Sequence, residues 1–393
     1  MTNSGSSERV GVLIGAWFLV DFDLAVLNPL LVPVSHGLGV GLAAATWALT
    51  AYLLLFGLMQ PVYGVISDAV GRVRVLRVAL TAWGVANLIA ATAPDVAVLI
   101  IGRALAGACA AAVVPATAAY VGDRFPPQRL QRVMALLLSA GAVGTAAATI
   151  VAGSLTQLVS WRAPLVVVAV AAPAVALWCG QLPEAASPSR SVTVGERLGH
   201  AVAGGWLRFL IAFLFIEGAA MIGFYSFFNA SLQVNGDSAL VAGAVTSSYG
   251  AAAICGGLTV RALHERASPA AMFGGGVLLL TTGYLVAAAA QTVTTILIAS
   301  ICAGFALALA QSTVQAWVLQ VAPADVRGTA TSLVACSVFT GAAIGVAALG
   351  GVAGSHEFRA LFLVAAAVSL VVGFIGSVAL SRYHRVLAGT PPT

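Results

Sequence analysis

Long apolar runs recur along the whole of this 393-residue chain, and they constrain its fold more than any other feature. A run of about 20 residues is long enough to cross the hydrocarbon core of a bilayer as an α-helix. Hydrophobic residues make up 60% of the sequence and charged residues only 8%. Because a soluble protein of this composition could not cover its surface with polar side chains, lipid must be the solvent for much of the chain. The sequence therefore predicts an all-α polytopic membrane protein.

Twelve runs are long enough to be transmembrane helices, six on each side of a central polar stretch. The predicted spans cover residues 10–35, 44–66, 75–93, 96–121, 133–158, 164–182, 206–232, 240–262, 269–290, 294–320, 328–353 and 359–381. The loops after the fourth and tenth spans resemble each other and lie nearly 200 residues apart, which is typical of two parallel six-helix repeats. We expect an N-terminal six-helix bundle over residues 1–182, a cytoplasmic linker over 183–205 and a C-terminal six-helix bundle over 206–393.

Arginine alone predicts the orientation, because all 18 basic residues are arginines. Cytoplasmic loops of membrane proteins are enriched in positive charge. With the N-terminus inside, 15 arginines fall on the cytoplasmic side, Arg162 and Arg359 fall outside, and Arg103 lies within a span. The chain is therefore expected in the cell's inner (plasma) membrane with both termini cytoplasmic. Since the arginines are spread over short loops, no nucleic-acid partner is indicated.

The loop between the second and third spans carries a family signature. Gly64, Asp68, Gly71 and Arg72 match four positions of G-x-x-x-D-R-x-G-R-R, the loop signature of the major facilitator superfamily, which the chain thereby resembles. Ala69 stands at the first basic position of that signature. In this family the loop takes part in a network that latches the outward-facing state. The resemblance therefore implies a conformational latch at the four matching residues.

Two further spans extend the resemblance. Arg103 and Gly107 match the R-x-x-x-G pattern of the family's fourth span, and Gly144 and Gly153 match the ends of its antiporter signature in the fifth. The resemblance covers all twelve spans in layout. It implies a major facilitator fold and a functional monomer, and it is strongest to the twelve-helix drug–proton antiporter branch of the family. The prolines of the antiporter signature are missing here. A proton symporter or a uniporter of a small metabolite therefore remains an alternative.

Ionisable residues inside the predicted spans are the main functional candidates, because each is costly in hydrocarbon unless it is paired or hydrated. Asp23 lies roughly 20 Å from the inner boundary and Arg103 about 11 Å below the outer boundary, at 1.5 Å per residue. The two depths coincide, so the residues can pair. Relatives in the drug–proton branch also carry an acidic residue near the arginine of the fourth span. We predict that Asp23 couples protons with Arg103 as its charge partner, that Asp21 is the substitute, and that a static pair is the alternative.

Glu217 lies near mid-depth in the seventh predicted span, without a basic residue in the membrane of its own half. A carboxylate there indicates proton binding or recognition of a cationic group. A neutral, hydrogen-bonded Glu217 packed inside its bundle is the alternative.

Polar and amphipathic side chains within the spans are candidates for contacting a substrate. Core packing or an ordinary interhelical hydrogen bond is the alternative for each of them. The candidates are Asn28, Tyr52, Tyr225, Phe228, Asn229, Gln311 and Gln315.

Several functional classes are disfavoured by what the sequence lacks. No Ser/His or Cys/His pair falls at membrane depth, so an enzyme is not indicated, and no cofactor is expected. The five isolated cysteines suggest neither a metal site nor a disulfide framework. A chain without lysine cannot form a Walker ATP site. We predict a secondary transporter driven by a gradient, most simply a proton-coupled exporter of small amphipathic or cationic organic compounds. A non-transporting membrane sensor on the same scaffold is the alternative from another class.

Overall fold

The computed structural model describes residues 4–184, 204–263, 266–322 and 327–389, and across these residues the chain is helical almost throughout, without a β-strand. Eleven helices are long and apolar enough to cross a membrane, and the sixth span is a shorter apolar helix of 17 residues. The prediction of an all-α polytopic fold is confirmed. The spans, numbered 1 to 12 in chain order, are Val10–Leu38, Leu42–Val70, Arg72–Ala91, Val96–Arg124, Arg129–Leu158, Ala163–Cys179, Gly205–Val234, Ala239–Leu263, Pro269–Ala289, Val293–Val321, Arg327–Gly354 and Phe358–Val386.

Spans 1 and 7 contain irregular helical turns, and span 4 is interrupted between Ala110 and Val113. Span 1 changes to a 3-10 turn at Asn28–Leu30 before it continues as Leu31–Leu38. Proline 29 lies in this turn, and a proline cannot donate the backbone hydrogen bond that a continuous helix requires. Span 7 contains a π-helical segment, Ala219–Gly223, followed by a 3-10 turn at Phe224–Ser226. Such irregular turns often accompany functional sites.

The helices pack in two equivalent sets. In the first half span 1 packs on span 5, span 2 on span 4 and span 3 on span 6, and in the second half the corresponding pairs are 7 with 11, 8 with 10 and 9 with 12. The halves meet where span 2 packs on span 11 and span 8 packs on span 5. The proposed linker at 183–205 lies largely outside the described residues, so the exact boundary between the two bundles stays a prediction.

The two halves are related by a constant offset of 197 residues. Gly107 of span 4 lies against the backbone carbonyl of Tyr52, and Gly304 of span 10 lies in the same way against the carbonyl of Tyr249. Both contacts leave no space for a Cβ atom at the glycine. From the sequence, the repeat was detectable only as two similar loops. Its register could not be assigned, because the residues that correspond between the halves are single glycines rather than a motif.

Contacts between the halves are tightest on one side of the membrane. We call the side with both termini and the span 2–3 loop the terminal face, and the opposite side the far face. Near the far face Gly354 of span 11 packs on Ala43 of span 2, and Gly153 of span 5 packs on the Ala239 carbonyl of span 8. Near the terminal face a Cβ at Gly64 would lie 3.7 Å from Ser332 Oγ, an ordinary contact. The halves therefore close against each other at the far face and are looser at the terminal face.

Candidate functional site

An ion pair buried at the centre of the first half joins span 1 to span 4. The Arg103 guanidinium donates to Asp23 Oδ1 at 2.7 Å and to the Asp23 backbone carbonyl at 3.1 Å. Both side chains have no exposed surface. The pairing depth inferred from the sequence thus corresponds to a direct contact.

Span 3 supplies the remaining partners of this pair. Trp83 Nε1 donates to Asp23 Oδ2 at 2.7 Å, and Asn87 accepts a hydrogen bond from Arg103 at 2.8 Å while its amide nitrogen lies 3.4 Å from Asp23 Oδ2. On the other side, the Tyr52 ring lies 4.2 Å from the Arg103 guanidinium carbon, a cation–π contact. Three spans and an aromatic face therefore hold one carboxylate and one guanidinium in place.

The second half has no equivalent ion pair, although its backbone geometry is conserved. The positions that correspond to Asp23 and Arg103 at the 197-residue offset are Ala220 and Ser300. At the position corresponding to Asn87, the Tyr284 hydroxyl donates to the Ala220 carbonyl at 2.5 Å. The paired charge therefore has no counterpart at the corresponding positions of the second half.

Asp21 projects from a different face of span 1 than Asp23. Its carboxylate occupies the space beside Gly141 of span 5, where a Cβ would overlap Asp21 Oδ2. The residue is half-buried. Asp21 thus lies on the side of span 1 that faces span 5, away from Arg103, and so the two aspartates belong to different environments.

Glu217 is a buried acidic residue of span 7. It is 1% exposed, and within the described residues neither carboxylate oxygen has a hydrogen-bond partner. It ends the regular helix of span 7, just before the π-helical segment, where Gly218 packs directly on the Val338 carbonyl of span 11. Glu217 therefore lies beside the irregular turns of span 7, at the contact of that span with span 11.

Spans 7 and 8 form a polar and aromatic cluster, whose span 7 residues lie about two to three turns beyond Glu217. The Tyr225 ring stacks on Tyr249 with centroids 4.3 Å apart, and the Tyr225 hydroxyl donates to the Thr246 carbonyl at 3.0 Å. Asn229 Oδ1 accepts from the Thr246 hydroxyl at 3.2 Å, while the Asn229 amide nitrogen is buried without a partner among the described residues. The Asn229 amide nitrogen is therefore a polar atom of this cluster that is available to a ligand.

The other substrate candidates divide by environment. Phe228 is fully buried among Tyr225, Tyr284 and Phe362, so it contributes to packing. Asn28 is buried in the 3-10 turn of span 1 with its side-chain oxygen unpartnered in the described structure. Two more candidates lie toward the terminal face in span 10: Gln311 is half-buried and Gln315 is exposed.

The span 2–3 loop forms a charged network at the terminal face. Arg72 lies between two carboxylates, with Nη1 2.9 Å from Asp68 and Nε 2.5 Å from Asp123 at the end of span 4. Gly71 has φ +109°, a conformation that favours glycine. Gly64 faces Ser332 of span 11 only loosely. The predicted latch residues are thus gathered at one place, while the latch role itself stays a prediction.

Sequence reasoning missed several residues that complete these sites. Trp83 and Asn87 lie four residues apart on span 3, a spacing that places both on one helix face, but nothing in the sequence showed which face meets span 1. Asp123 belonged to a recognised loop, although its pairing with Arg72 depends on how spans 2 and 4 pack. Tyr249 would have been found from its 197-residue offset to Tyr52, had the register of the repeat been known.

Comparison with known proteins agrees with this architecture. The family profile of the Major Facilitator Superfamily matches residues 13–266 and 209–393. Among solved structures, the nucleoside transporter NupG superposes with a TM-score of 0.79 at 15% sequence identity, covering 95% of this chain and 99% of its own. A bacterial homologue of the lysosomal transporter Spinster superposes with a TM-score of 0.72 at 16% identity, covering 96% and 99%. At such identities these likenesses concern the fold alone.

Curated relatives match over part of the chain. The puromycin resistance protein pur8 of Streptomyces alboniger is 33% identical over 206 residues, which are 51% of this chain and 40% of the relative. The cephamycin export protein CmcT of Amycolatopsis lactamdurans is 31% identical over 153 residues, which are 39% and 32% of the two chains. The matched segments thus span less than half the length of these relatives.

Proposed function

Because this chain belongs to the Major Facilitator Superfamily, we propose that it exports small amphipathic or cationic organic compounds in exchange for protons, by alternating access. It is a transporter of the membrane-embedded type, not an enzyme, and its relatives include resistance and export proteins. The puromycin and cephamycin of their names suggest which compounds to test first. The two bundles, 1–182 and 206–393, would rock about the central region as a monomer, with the linker at 183–205 between them.

The observation that carries this proposal is the state of Glu217. A carboxylate buried at membrane depth is costly without a partner, and within the described structure its two oxygens have none. Such a group binds either a proton or a cation, and a site that can hold only one of them at a time exchanges the two. It lies next to the irregular segment of span 7, and rocking of the halves would expose it to the two sides of the membrane in turn.

The remaining candidates receive roles that follow from their surroundings. We assign Asp21 and Glu217 to the exchange of protons, and Asp23 with Arg103 to coupling that exchange to the helices of the first half. Asn28, Tyr52, Tyr225, Asn229, Gln311 and Gln315 are assigned to the substrate pathway. Phe228 supports it by packing.

Orientation follows from the arginines and from the contacts between the halves. With both termini cytoplasmic in the inner membrane, the tight far face is the outer side and the looser terminal face opens to the cytoplasm. In this state an exported compound enters from inside. The network of Asp68, Arg72 and Asp123, together with Gly64 and Gly71, would then latch the outward-facing state when the terminal face closes.

Proteoliposomes loaded with a pH-sensitive dye test the proposal directly. With an imposed proton gradient, we expect puromycin to move protons in the opposite direction to itself, and cephamycin, which carries a carboxylate, to move few. Glu217→Gln should abolish this exchange. Glu357→Gln, the same change at an exposed loop residue, should leave it intact. Asp21→Asn, assayed beside them, tests whether Asp21 shares in coupling. Asp23 is tested by Asp23→Asn/Arg103→Gln, because the single change would leave the buried Arg103 charge unpaired.

Each contrary outcome points to a definite alternative. Protons that move together with a compound indicate symport, and compound movement that is indifferent to the gradient indicates uniport. If no compound moves across the membrane but one still binds in a Glu217-dependent manner, the chain is a sensor on a transporter scaffold. If the Glu217→Gln variant exchanges protons for the compound as fast as the unaltered protein, Glu217 does not take part in the exchange.

A further inference from the structure

A groove on the outside of the first half lies apart from the central site. It runs between spans 3 and 6 from the terminal face toward mid-membrane, and its volume is about 680 Å³. Its mouth is formed by Arg74 and Arg77, and its deeper wall by apolar side chains on the same face of span 3 and on the end of span 6. The apolar lining comprises Val73, Val78, Ala82, Val85, Ala176, Leu177 and Leu182.

The charge at the mouth is not neutralised by the protein. In the described part of the chain, neither Arg74 nor Arg77 forms an ion pair. The acidic residue that lines the groove, Glu184, uses its two carboxylate oxygens to accept the backbone N–H groups of Val73 and Arg74, at 2.9 and 3.1 Å. The Arg77 guanidinium instead lies over Gly180, the residue after span 6. Two guanidinium groups and one carboxylate therefore line the groove, and a net positive charge faces the polar boundary of the bilayer.

The apolar part of the groove continues directly from these cations into the membrane. Span 3 rises about 16 Å between Arg74 and Val85 at 1.5 Å per residue. Val78, Val85 and Leu177 along this path are more than half exposed, at 66, 55 and 76%. Span 6, with 17 residues, covers only about 26 Å at that rise and is shorter than the hydrocarbon core. A ligand that matches this arrangement has an anionic head at the membrane boundary and hydrocarbon below it.

We propose that this groove is a binding site for an anionic phospholipid, with the phosphate between Arg74 and Arg77 and an acyl chain along Val78 and Val85. A zwitterionic lipid is a poorer fit, because its ammonium group would lie beside two arginines that form no ion pair in the described part of the chain. Arginine clusters where membrane helices reach the surface attract anionic lipids in this way. The site adjoins the N-terminus of span 3, where Arg72 joins the latch network, so a bound lipid contacts the element that carries the latch.

Native mass spectrometry of the full-length protein, titrated with phosphatidylglycerol or with phosphatidylcholine of the same acyl chains, tests the proposal. We expect phosphatidylglycerol to bind more tightly, and Arg74→Gln and Arg77→Gln each to weaken it about fivefold. Arg132→Gln, an exposed arginine at the same face on span 5, is the matched control and should change little. Equal loss in the control would mean diffuse attraction to the whole face and would overturn the site.

A second variant separates a lipid from other occupants. Ala82→Phe fills the apolar part of the groove and leaves both arginines in place. It should abolish tight binding of phosphatidylglycerol, and soluble glycerol phosphate should not compete in the unaltered protein. If Ala82→Phe binds as before and glycerol phosphate competes, the arginines hold a phosphate ion rather than a lipid. If the same spectra show a dimer of the unaltered protein and only a monomer of Ala82→Phe, the groove binds a second copy of the chain. Either result overturns the proposal.

Discussion

At the scale of single residues, the first half buries one charge pair that satisfies most of its own hydrogen-bonding capacity. Asp23 accepts from Arg103 and Trp83 with both oxygens occupied, and Arg103 reaches Asn87 as well. A buried pair of this kind adds little net stability compared with apolar residues of the same shape, yet the loss of one partner leaves the other as an isolated buried charge. The pair thus makes the first half sensitive to any single change in its charge.

Neutralising one member should therefore be worse than neutralising both. Asp23→Asn leaves the Arg103 charge unpaired and should destabilise the protein by about 3–5 kcal/mol, seen as a lower midpoint of thermal unfolding in detergent. The double variant Asp23→Asn/Arg103→Gln should recover most of that loss. Proton exchange by the double variant then decides the role of the pair. Exchange retained means a static pair, and exchange lost from a stable protein means that Asp23 takes part in coupling.

The tryptophan donor offers a milder change at the same site. Trp83→Phe keeps an aromatic ring but removes the N–H that donates to Asp23, and a hydrogen bond to a charged group contributes about 1.5–3 kcal/mol. We expect a lower unfolding midpoint by the same assay. Trp178→Phe, at a tryptophan that is 40% exposed, should be close to neutral. An equal effect of the two changes would show that ring volume, not the hydrogen bond, matters at Trp83.

Contacts that follow from the depth of a residue in the membrane could be predicted from the sequence, whereas contacts that depend on how the helices pack could not. Asp23 and Arg103 were matched by depth, because rise per residue and bilayer thickness are fixed quantities. Their donors on span 3 could not be found, since that required the rotation of span 3 about its axis. Glu217 was identified as an unpaired carboxylate from the absence of nearby arginines. Phe228 looked like a ligand contact because sequence does not distinguish a ring that lines a cavity from one that fills a core.

At the scale of elements, the start of span 3 is fixed by two neighbouring features. Gly71 turns the chain with φ +109°, and Glu184 caps the new helix by accepting its first free N–H groups. A Cβ at Gly71 would also lie 2.9 Å from the Glu184 carboxyl carbon. Backbone conformation and side-chain space thus both require glycine at this turn.

Gly71→Ala should therefore destabilise the terminal face. Holding a non-glycine residue in this region costs about 1–3 kcal/mol, and the displaced Glu184 would uncap span 3. We expect faster proteolysis near the span 2–3 loop and a lower unfolding midpoint. Gly122→Ala is the matched control, because Gly122 lies in the helix at the same face with open space around it. If both variants behave alike, the turn does not depend on glycine.

Span 7 shows where element prediction from sequence ends. Its apolar run and its ends were predicted closely, at 206–232 against Gly205–Val234. The π-helical segment within it was not, because Ala219–Gly223 contains no proline and no unusual motif. The irregularity lies where Gly345 of span 11 packs against Ala219. It is thus associated with a contact between spans rather than with a local signal.

At the scale of the whole molecule, alternating access requires that the two halves separate at one face while they approach at the other. In this structure the far face is closed, since Gly354 packs on Ala43 and Gly153 packs on Ala239. These glycines and alanines allow backbone contact without interlocking side chains. Small residues at such an interface let it open without disrupting packed cores. The halves should therefore move as bodies, and the far face should be the part that must open.

A cross-link across the far face should then stop transport without unfolding the protein. A Cβ at Gly354 would lie 2.9 Å from the Ala43 Cβ, which is closer than the about 3.5–4.5 Å of a disulfide. A slight separation of spans 2 and 11 therefore lets Ala43→Cys/Gly354→Cys, with the native cysteines replaced, form a disulfide. We expect oxidation to abolish proton–compound exchange and reduction to restore it.

The matched control, Gly274→Cys/Ser377→Cys, joins spans 9 and 12 within the second half, where a Cβ at Gly274 would lie 3.8 Å from that of Ser377. This control should keep its activity when oxidised, because no contact between the halves is bridged. Undiminished exchange by the oxidised Ala43→Cys/Gly354→Cys protein would mean that the far face need not open at spans 2 and 11, and that the halves do not rock as whole bodies.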